Sequence, residues 1–511
     1  MTHLTSSDRL CSEYSGNLLL GTTAATVIVL AFFAFCEDSR HWFLLPLLLC
    51  GTMIGGDVIA WARGKVDLFD PLGILGIFAW KTYFWAPLLH VALDEWGRTY
   101  PFPPDDWRPW LGWMAVLNFL GYAVYRVSAA YFSVSGRMEN KATVWQVNPS
   151  RVFVVIFYAA IASVITQMVV YAKFGGLAGY IAAFEQRSEA FRGMAIVFAV
   201  SEACPILLFM GFIFLVRMRR SPPQWGVLSV ALAVYFFLIF FFGGLRGSRS
   251  EILQSMFWAI GMIHSAARPV SRKFIIACIV AGVAFLYIYG FYKKHGREGF
   301  LAAIASHEER RQLENQGMGE GPWYSRALGL TTPEYTLYEI FGPGRGFPYA
   351  LGRTYLGAVA RIIPLSVWPD RPEGLQLEAA MLFYGSAEKN TSLVWGLNGE
   401  ALLNFGPLGV PLVFLLPGFV VGRLRRASAA WPRHDVRWLI FPFFVLICVT
   451  MLGADSTSLP YFVVKNGFMP VAVLYLGASR RIVTRKNIAL RREARFMPRA
   501  DPRHIPQSRA A

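Results

Sequence analysis

Charge is scarce in this sequence. Only 16% of its 511 residues are Asp, Glu, Lys or Arg, against roughly 25% in ordinary soluble domains. A soluble chain of this length divides into several domains with polar surfaces, and there are too few charges here to coat them. With 55% hydrophobic residues, a cytosolic enzyme and a disordered chain are both excluded. Cysteine is also sparse and scattered. The six thiols form no CxxC and no Cys/His cluster, so neither a zinc site nor a disulfide framework is indicated. Most fall inside apolar runs, where a thiol behaves as a small hydrophobe. Several catalytic signatures are missing too: no Walker loop, no GxGxxG after a strand, no HExxH and no GxSxG. No DxD pair occurs, so metal-assisted chemistry on a nucleotide sugar has no support. No metal or cofactor is implied. Histidine numbers eight, and only His295 and His307 fall in the long loop described below. A histidine base is therefore not favoured.

What the chain has in quantity is long apolar runs. A bilayer span needs about 20 mostly apolar residues. Twelve stretches qualify: 17–36, 42–61, 71–93, 110–132, 152–172, 194–216, 225–244, 251–267, 274–292, 398–422, 438–453 and 459–479. The first is read as a retained span, because its flank is long, carries only Arg9 and has no clear cleavage site. The expected fold class is an all-α polytopic integral membrane protein with about 12 transmembrane helices and one large extracytoplasmic loop. Its parts are a bundle over 1–292, a loop or cap over 293–397, three further spans over 398–479, and a basic tail over 480–511.

The net charge of +17 then reports orientation. In a membrane protein, Lys and Arg collect on the cytoplasmic side, so this excess does not indicate nucleic-acid binding. The tail carries ten Lys and Arg against Glu493 and Asp501, and is expected to stay in the cytoplasm. Counting back through twelve spans puts the N-terminus inside as well. The inside connections then hold 16 Lys and Arg and the short outside ones 8. The expected topology is N-in and C-in. The 293–397 loop lands outside. It is about 105 residues long, and long loops of this kind are usually functional. A compact cap of short helices on the membrane surface is expected.

Three constellations carry candidate chemistry. The turn Gly243-Gly244-Leu245-Arg246-Gly247-Ser248-Arg249 closes the seventh span on the outside, against the charge bias. Glycines let backbone amides approach a ligand, and guanidinium forks match phosphate oxygens. The structural alternative is a tight turn whose arginines reach to lipid headgroups. The second is the loop series Arg345, Arg353, Arg361 and Arg371, which between residues 340 and 371 faces only Asp370. It suits an anionic ligand at the membrane surface, or salt bridges within the loop. The third is Asn398-Gly399-Glu400 with Asn404, opening the tenth span. Positions 400 and 404 share one helix face, and a carboxylate at the membrane boundary is a candidate base or a complement to the helix dipole. Within the spans Lys81, Arg126, Glu202 and Lys465 need partners, and a Lys81–Glu202 pair is one arrangement that would supply them.

Taken together, these pieces resemble the oligosaccharide repeat-unit polymerases of bacterial surface polysaccharides, the Wzy-like O-antigen and exopolysaccharide polymerase family. The carrying residues are Gly247-Ser248-Arg249, Gly352-Arg353-Thr354-Tyr355-Leu356, Pro364-Leu365-Ser366-Val367-Trp368-Pro369-Asp370-Arg371-Pro372, Asp67-Leu68-Phe69-Asp70-Pro71 and the run from Gly399-Glu400 to Asn404-Phe405-Gly406-Pro407. The likeness covers about residues 60–480. One departure is Gly453-Ala454-Asp455, which lacks the arginine that relatives often carry before the acid. The resemblance implies a class C glycosyltransferase-like enzyme in the bacterial inner membrane, with its active face periplasmic. It would move a growing glycan from undecaprenyl diphosphate to a hydroxyl of the next lipid-linked repeat unit. It implies Arg249 and Glu400 as catalytic residues, and Arg246, Ser248, Arg345, Arg353, Tyr355, Arg361, Trp368, Arg371 and Asn404 as substrate-binding ones. Its partners are the lipid-linked oligosaccharide, membrane lipids and a chain-length regulator, with no nucleic acid. Two other readings stay open: an O-antigen ligase acting on lipid A-core, and a polysaccharide flippase or transporter. The absence of an internal repeat in the sequence counts against transport.

Overall fold

The computed structural model describes residues 6–94, 100, 102–134, 141–185, 194–219, 223–246, 249–282, 284–285, 301, 306, 308, 333–361, 363, 367–372, 374–386, 395–432 and 435–484. Most of them are helical. Eight described helical segments are long and apolar enough to cross a bilayer: Gly16–Phe35, Leu44–Ala62, Pro71–Ala92, Pro149–Lys173, Ile196–Met218, Trp225–Phe242, Gly396–Ala429 and Ser458–Gly477. Each coincides with one of the twelve expected stretches. The stretch 110–132 is also a helix, but a more polar one. Residues 251–267 form a shorter helix with a π-turn, and 438–453 a short apolar helix. Most of the second half of 274–292 lies outside the described residues.

The bundle begins with α1 (Ser6–Phe35) packed along α2 (Leu44–Ala62). In α3 (Pro71–Trp80) the Asp70 carboxylate accepts the Leu72 amide and proline occupies the first turn, a favourable helix start. A π-turn, Lys81–Trp85, joins it to α4 (Ala86–Ala92). The central α5 (Arg108–Val134) runs against helices from both halves of the chain. Its polar residues point inward. Asn118 accepts from Asn398 Nδ2 at 2.8 Å, while Arg126 pairs with Asp57, which also accepts the Tyr122 hydroxyl at 2.7 Å. A largely buried ion pair with a further hydrogen bond satisfies charges that would otherwise be costly in a bilayer.

Next come β1 (Lys141–Val147), α6 (Pro149–Lys173), α7 (Gly176–Glu185), α8 (Ala195–Ser201), α9 (Cys204–Met218), α10 (Trp225–Phe242) and α11 (Arg249–Met262). Within 293–397 the described residues hold three short helices: α12 (Pro333–Phe341), α13 (Arg353–Ala360) and α14 (Leu375–Tyr384). An aromatic core of Tyr100, Trp107, Tyr335, Phe383 and Trp395 joins this region to the bundle. The chain ends with α15 (Gly396–Val413), α16 (Leu415–Ala429), α17 (Phe441–Gly453), α18 (Ser458–Gly477) and β2 (Ala478–Thr484).

The helical bundle carries one two-stranded addition: β1 and β2 pair antiparallel, Lys141 opposite Thr484 and Val147 opposite Ala478. The start of the basic tail is thus a strand. Asp435, fully buried, accepts the Trp145 amide at 3.1 Å, and Arg437 donates to the Thr143 carbonyl at 2.7 Å. Arg437 and Arg480 both lie within 6 Å of the Trp145 ring, at 5.8 and 4.9 Å, in cation–π range. One expectation is corrected: Glu202 pairs with Lys465 at 2.7 Å and not with Lys81. Lys81 instead lies 6.0 Å from the Phe78 ring.

Candidate active site

The site is built where α13, α15 and the corner between α17 and α18 meet. Glu400 lies in the first turns of α15 and is only 1% exposed. Its Oε1 accepts the Thr354 hydroxyl at 2.6 Å and the Ser456 hydroxyl at 2.5 Å, and its Oε2 accepts the Ser456 amide at 2.7 Å. Asn404, one turn on and fully buried, donates to Thr354 Oγ1 at 2.7 Å and to the Glu400 carbonyl at 2.8 Å. Its Oδ1 accepts the Gly352 amide at 2.8 Å. Backbone bonds from Ala350 to Leu403 (2.9 Å) and from Leu351 to Asn404 (3.2 Å) complete the tie. Buried polar groups joined in one satisfied network hold a rigid arrangement. Asp455 sits beside Ser456 and accepts the Ser458 amide at 2.7 Å, starting α18.

The local sequence explains this geometry. The spacing of Glu400 and Asn404 stacks them on one face of α15. The helix then breaks at Gly406, where φ is +67° and a Cβ would lie 2.8 Å from the Tyr349 hydroxyl. Only glycine meets both demands without strain, so residue 406 lets the 349–352 segment pass close to α15. That segment turns through a left-handed Leu351 and Gly352 into α13.

The residues singled out from sequence fall into groups. Glu400, Asn404, Arg353 and Tyr355 are brought together by the Thr354 tie. Arg353 is 64% exposed and pairs with Glu378 at 3.0 Å. Tyr355 stacks on Phe405 at 6.0 Å, and its buried hydroxyl has no hydrogen-bond partner among the described residues. Burial, then the neighbouring Glu400 carboxylate, pushes its phenol well above the ordinary value, so it remains an O–H donor at neutral pH. Arg345 is held apart, 3.5 Å from Glu339 and over the rings of Tyr338 and Phe102. Arg371 donates to the carbonyls of Arg361, at 2.8 Å, and Ile363, closing the end of α13. Trp368 is 39% exposed. Ser248 lies outside the described residues. The backbones of Arg246 and Arg249 fall in a 3₁₀ turn and at the start of α11, and their side chains lie outside the described residues.

Sequence reasoning gave no separate weight to Thr354 or Ser456. Their hydroxyls are common residue types, and their value comes from a meeting across 46 and 56 positions. Among the described residues no group of three or more His, Cys, Asp or Glu is placed to hold a metal ion.

A scan of protein-family models, a search of curated proteins and a search of solved structures each find no match to this chain.

Proposed function

We propose that this chain is an inner-membrane glycosyltransferase that polymerises undecaprenyl-diphosphate-linked oligosaccharide repeat units at the periplasmic face. The observation that carries the reading is the tie between two separated motifs, Gly352-Arg353-Thr354-Tyr355 and Gly399-Glu400 to Asn404. Their polar side chains meet in one network with an exposed arginine beside it. Such an arrangement offers what glycosyl transfer from a lipid diphosphate requires: a proton acceptor, and a cation for the departing charge.

In this reading the acceptor sugar's hydroxyl attacks the anomeric carbon of the donor glycan. The bond from that carbon to the diphosphate oxygen breaks, and its electron pair leaves with the lipid diphosphate. Glu400 is too enclosed to meet a sugar directly. The half-buried Ser456 hydroxyl already donates to it at 2.5 Å. The acceptor's proton passes to Ser456 Oγ as the Ser456 proton passes to Glu400. Arg353 neutralises the diphosphate with Arg246 and Arg249, and Tyr355, its hydroxyl enclosed like the Glu400 carboxylate, braces the site by its ring on Phe405. Asn404 keeps Thr354 and Glu400 in register.

The test is surface-polysaccharide electrophoresis of a deletion strain complemented with variants. Glu400→Gln and Arg353→Ala are expected to leave single-repeat caps without a ladder. Free polymer on the carrier indicates a ligase, and accumulation of cytoplasm-facing lipid-linked units indicates a flippase. Normal laddering from a chain carrying both substitutions refutes the mechanism.

A further inference from the structure

A second buried cluster lies below the turn at 243–249. The Lys465 ammonium, on α18, bonds Glu202 Oε2 at 2.7 Å and also bonds Glu251 Oε1. The Lys465 side chain is 2% exposed, and those of Glu202 and Glu251 are 11% and 18% exposed. Glu202 stands at the end of α8, and Glu251 in the first turn of α11, two residues after Arg249. Beside them is a cavity of ≈ 40 Å³ edged by Gln254, Ser255 and Asn466, room for about three waters.

Two geometric facts give this cluster direction. A Cβ at Gly243 would lie 3.1 Å from Glu202 Oε2 and 3.5 Å from Glu251 Oε2. The two carboxylates therefore close over the first glycine of the arginine-bearing turn, and Lys465 holds them there. The same α18 that carries Lys465 begins at Ser458, directly after Ser456, whose hydroxyl and amide bond Glu400. Lys465 lies nine positions after Ser456, about 14 Å at the helical rise. One rigid element thus touches both halves of the candidate site.

We propose that Lys465 is a positioning residue that fixes the Gly243 end of that turn and the start of α11 relative to the Glu400–Ser456 pair. It does not touch substrate. Its charge holds Glu251 and Glu202 against Gly243, so that the segment bearing Arg246 and Arg249 starts and ends at fixed points. This inference rests on reading that turn as the diphosphate-binding element. A misplacement of about 1 Å in such a site costs on the order of 100-fold in rate, so loss of the lysine is expected to act through donor binding and alignment.

The experiment uses full-length protein in nanodiscs with a synthetic undecaprenyl-diphosphate oligosaccharide. Lys465→Met is expected to lower kcat/KM by about tenfold or more, largely through a higher donor KM, within the misplacement cost above. Lys465→Arg keeps the charge and is expected to restore most of the loss. A methionine variant with kcat and KM within about twofold of wild type overturns the proposal. So does an arginine variant as impaired as the methionine one, because the effect would then be packing and not charge. If the methionine variant is not monodisperse, Glu251→Gln supplies the same reading and must raise the donor KM. A wild-type protein inactive on this donor counts against the proposed reaction. The positioning is then decided by spin labels at the exposed Ser250 and Ser458 in a cysteine-free background. A narrow distance distribution in wild type and Lys465→Arg that broadens in Lys465→Met supports it. Identical distributions in all three overturn it.

Discussion

Replacing Thr354 with valine isolates the tie between α13 and α15. Valine keeps the β-branched shape and so leaves χ1 and packing nearly unchanged. It removes a donor to Glu400 Oε1 at 2.6 Å and an acceptor for Asn404 Nδ2 at 2.7 Å. A hydrogen bond to a charged group contributes about 1.5–3 kcal/mol and a neutral one about 1 kcal/mol. Glu400 keeps Ser456 and Asn404 keeps the Glu400 carbonyl, so neither is stripped of partners. A net loss of about 2–3 kcal/mol in the local tie follows. The amides of Ala350, Leu351 and Gly352 report it, because their acceptors are Leu403 O, Asn404 O and Asn404 Oδ1. Hydrogen exchange of a peptide covering 350–356 should accelerate roughly 30- to 150-fold through local opening, while peptides from α2 keep their rates. Exchange within threefold of wild type at 350–352, or acceleration everywhere, would refute the reasoning. Pairing Thr354→Val with Asn404→Ala should give a coupling of at least about 0.5 kcal/mol, because the two share a bond.

Three other outcomes are expected. Arg126→Met leaves Asp57 buried without its cation and should cost about 3–5 kcal/mol, seen as a large fall in monodisperse yield. Adding Asp57→Leu should recover much of that loss, and an unimpaired single variant would contradict the pairing. Gly406→Ala puts a Cβ 2.8 Å from the Tyr349 hydroxyl at a φ of +67°, costing about 1–3 kcal/mol and lowering the thermal midpoint. Tyr349→Phe in the same chain should relieve only part of the clash, because the ring Cζ also lies 2.9 Å from that Cβ, and none of the backbone strain. Arg353→Lys keeps charge but loses the planar fork, so donor KM should fall between wild type and Arg353→Ala. Equal KM values for all three would remove Arg353 from diphosphate binding.

The bundle was legible wherever apolar residues run unbroken, because bilayer thickness sets a length that composition alone satisfies. Legibility declined where polar residues face other helices. In α5, Asn118, Arg126 and Ser128 point inward to partners 280, 69 and 287 positions away, which makes a long helix look less like a span. The strand pair was missed for a different reason. Lys141–Val147 reads as a short connection until it meets Ala478–Thr484, and no local periodicity announces a partner more than 300 residues on. The carboxylate and amide of the candidate site were visible as a one-turn spacing. The Thr354 and Ser456 hydroxyls that bind them were not, since nothing in their own neighbourhoods distinguishes them. The loop arginines were visible as charge, but Arg371 serves largely to close backbone carbonyls at the end of α13, a role that no charge count reveals.

The most direct test of the central claim is a defined reaction. Purified full-length protein in nanodiscs is incubated with a synthetic undecaprenyl-diphosphate-linked repeat unit and no other acceptor. Products are resolved by mass and by release of undecaprenyl diphosphate. Oligomers that grow by whole repeat units are expected, with one lipid diphosphate released per bond formed and both signals lost in Glu400→Gln. Unextended substrate with wild-type protein, or equal extension by Glu400→Gln, would contradict it.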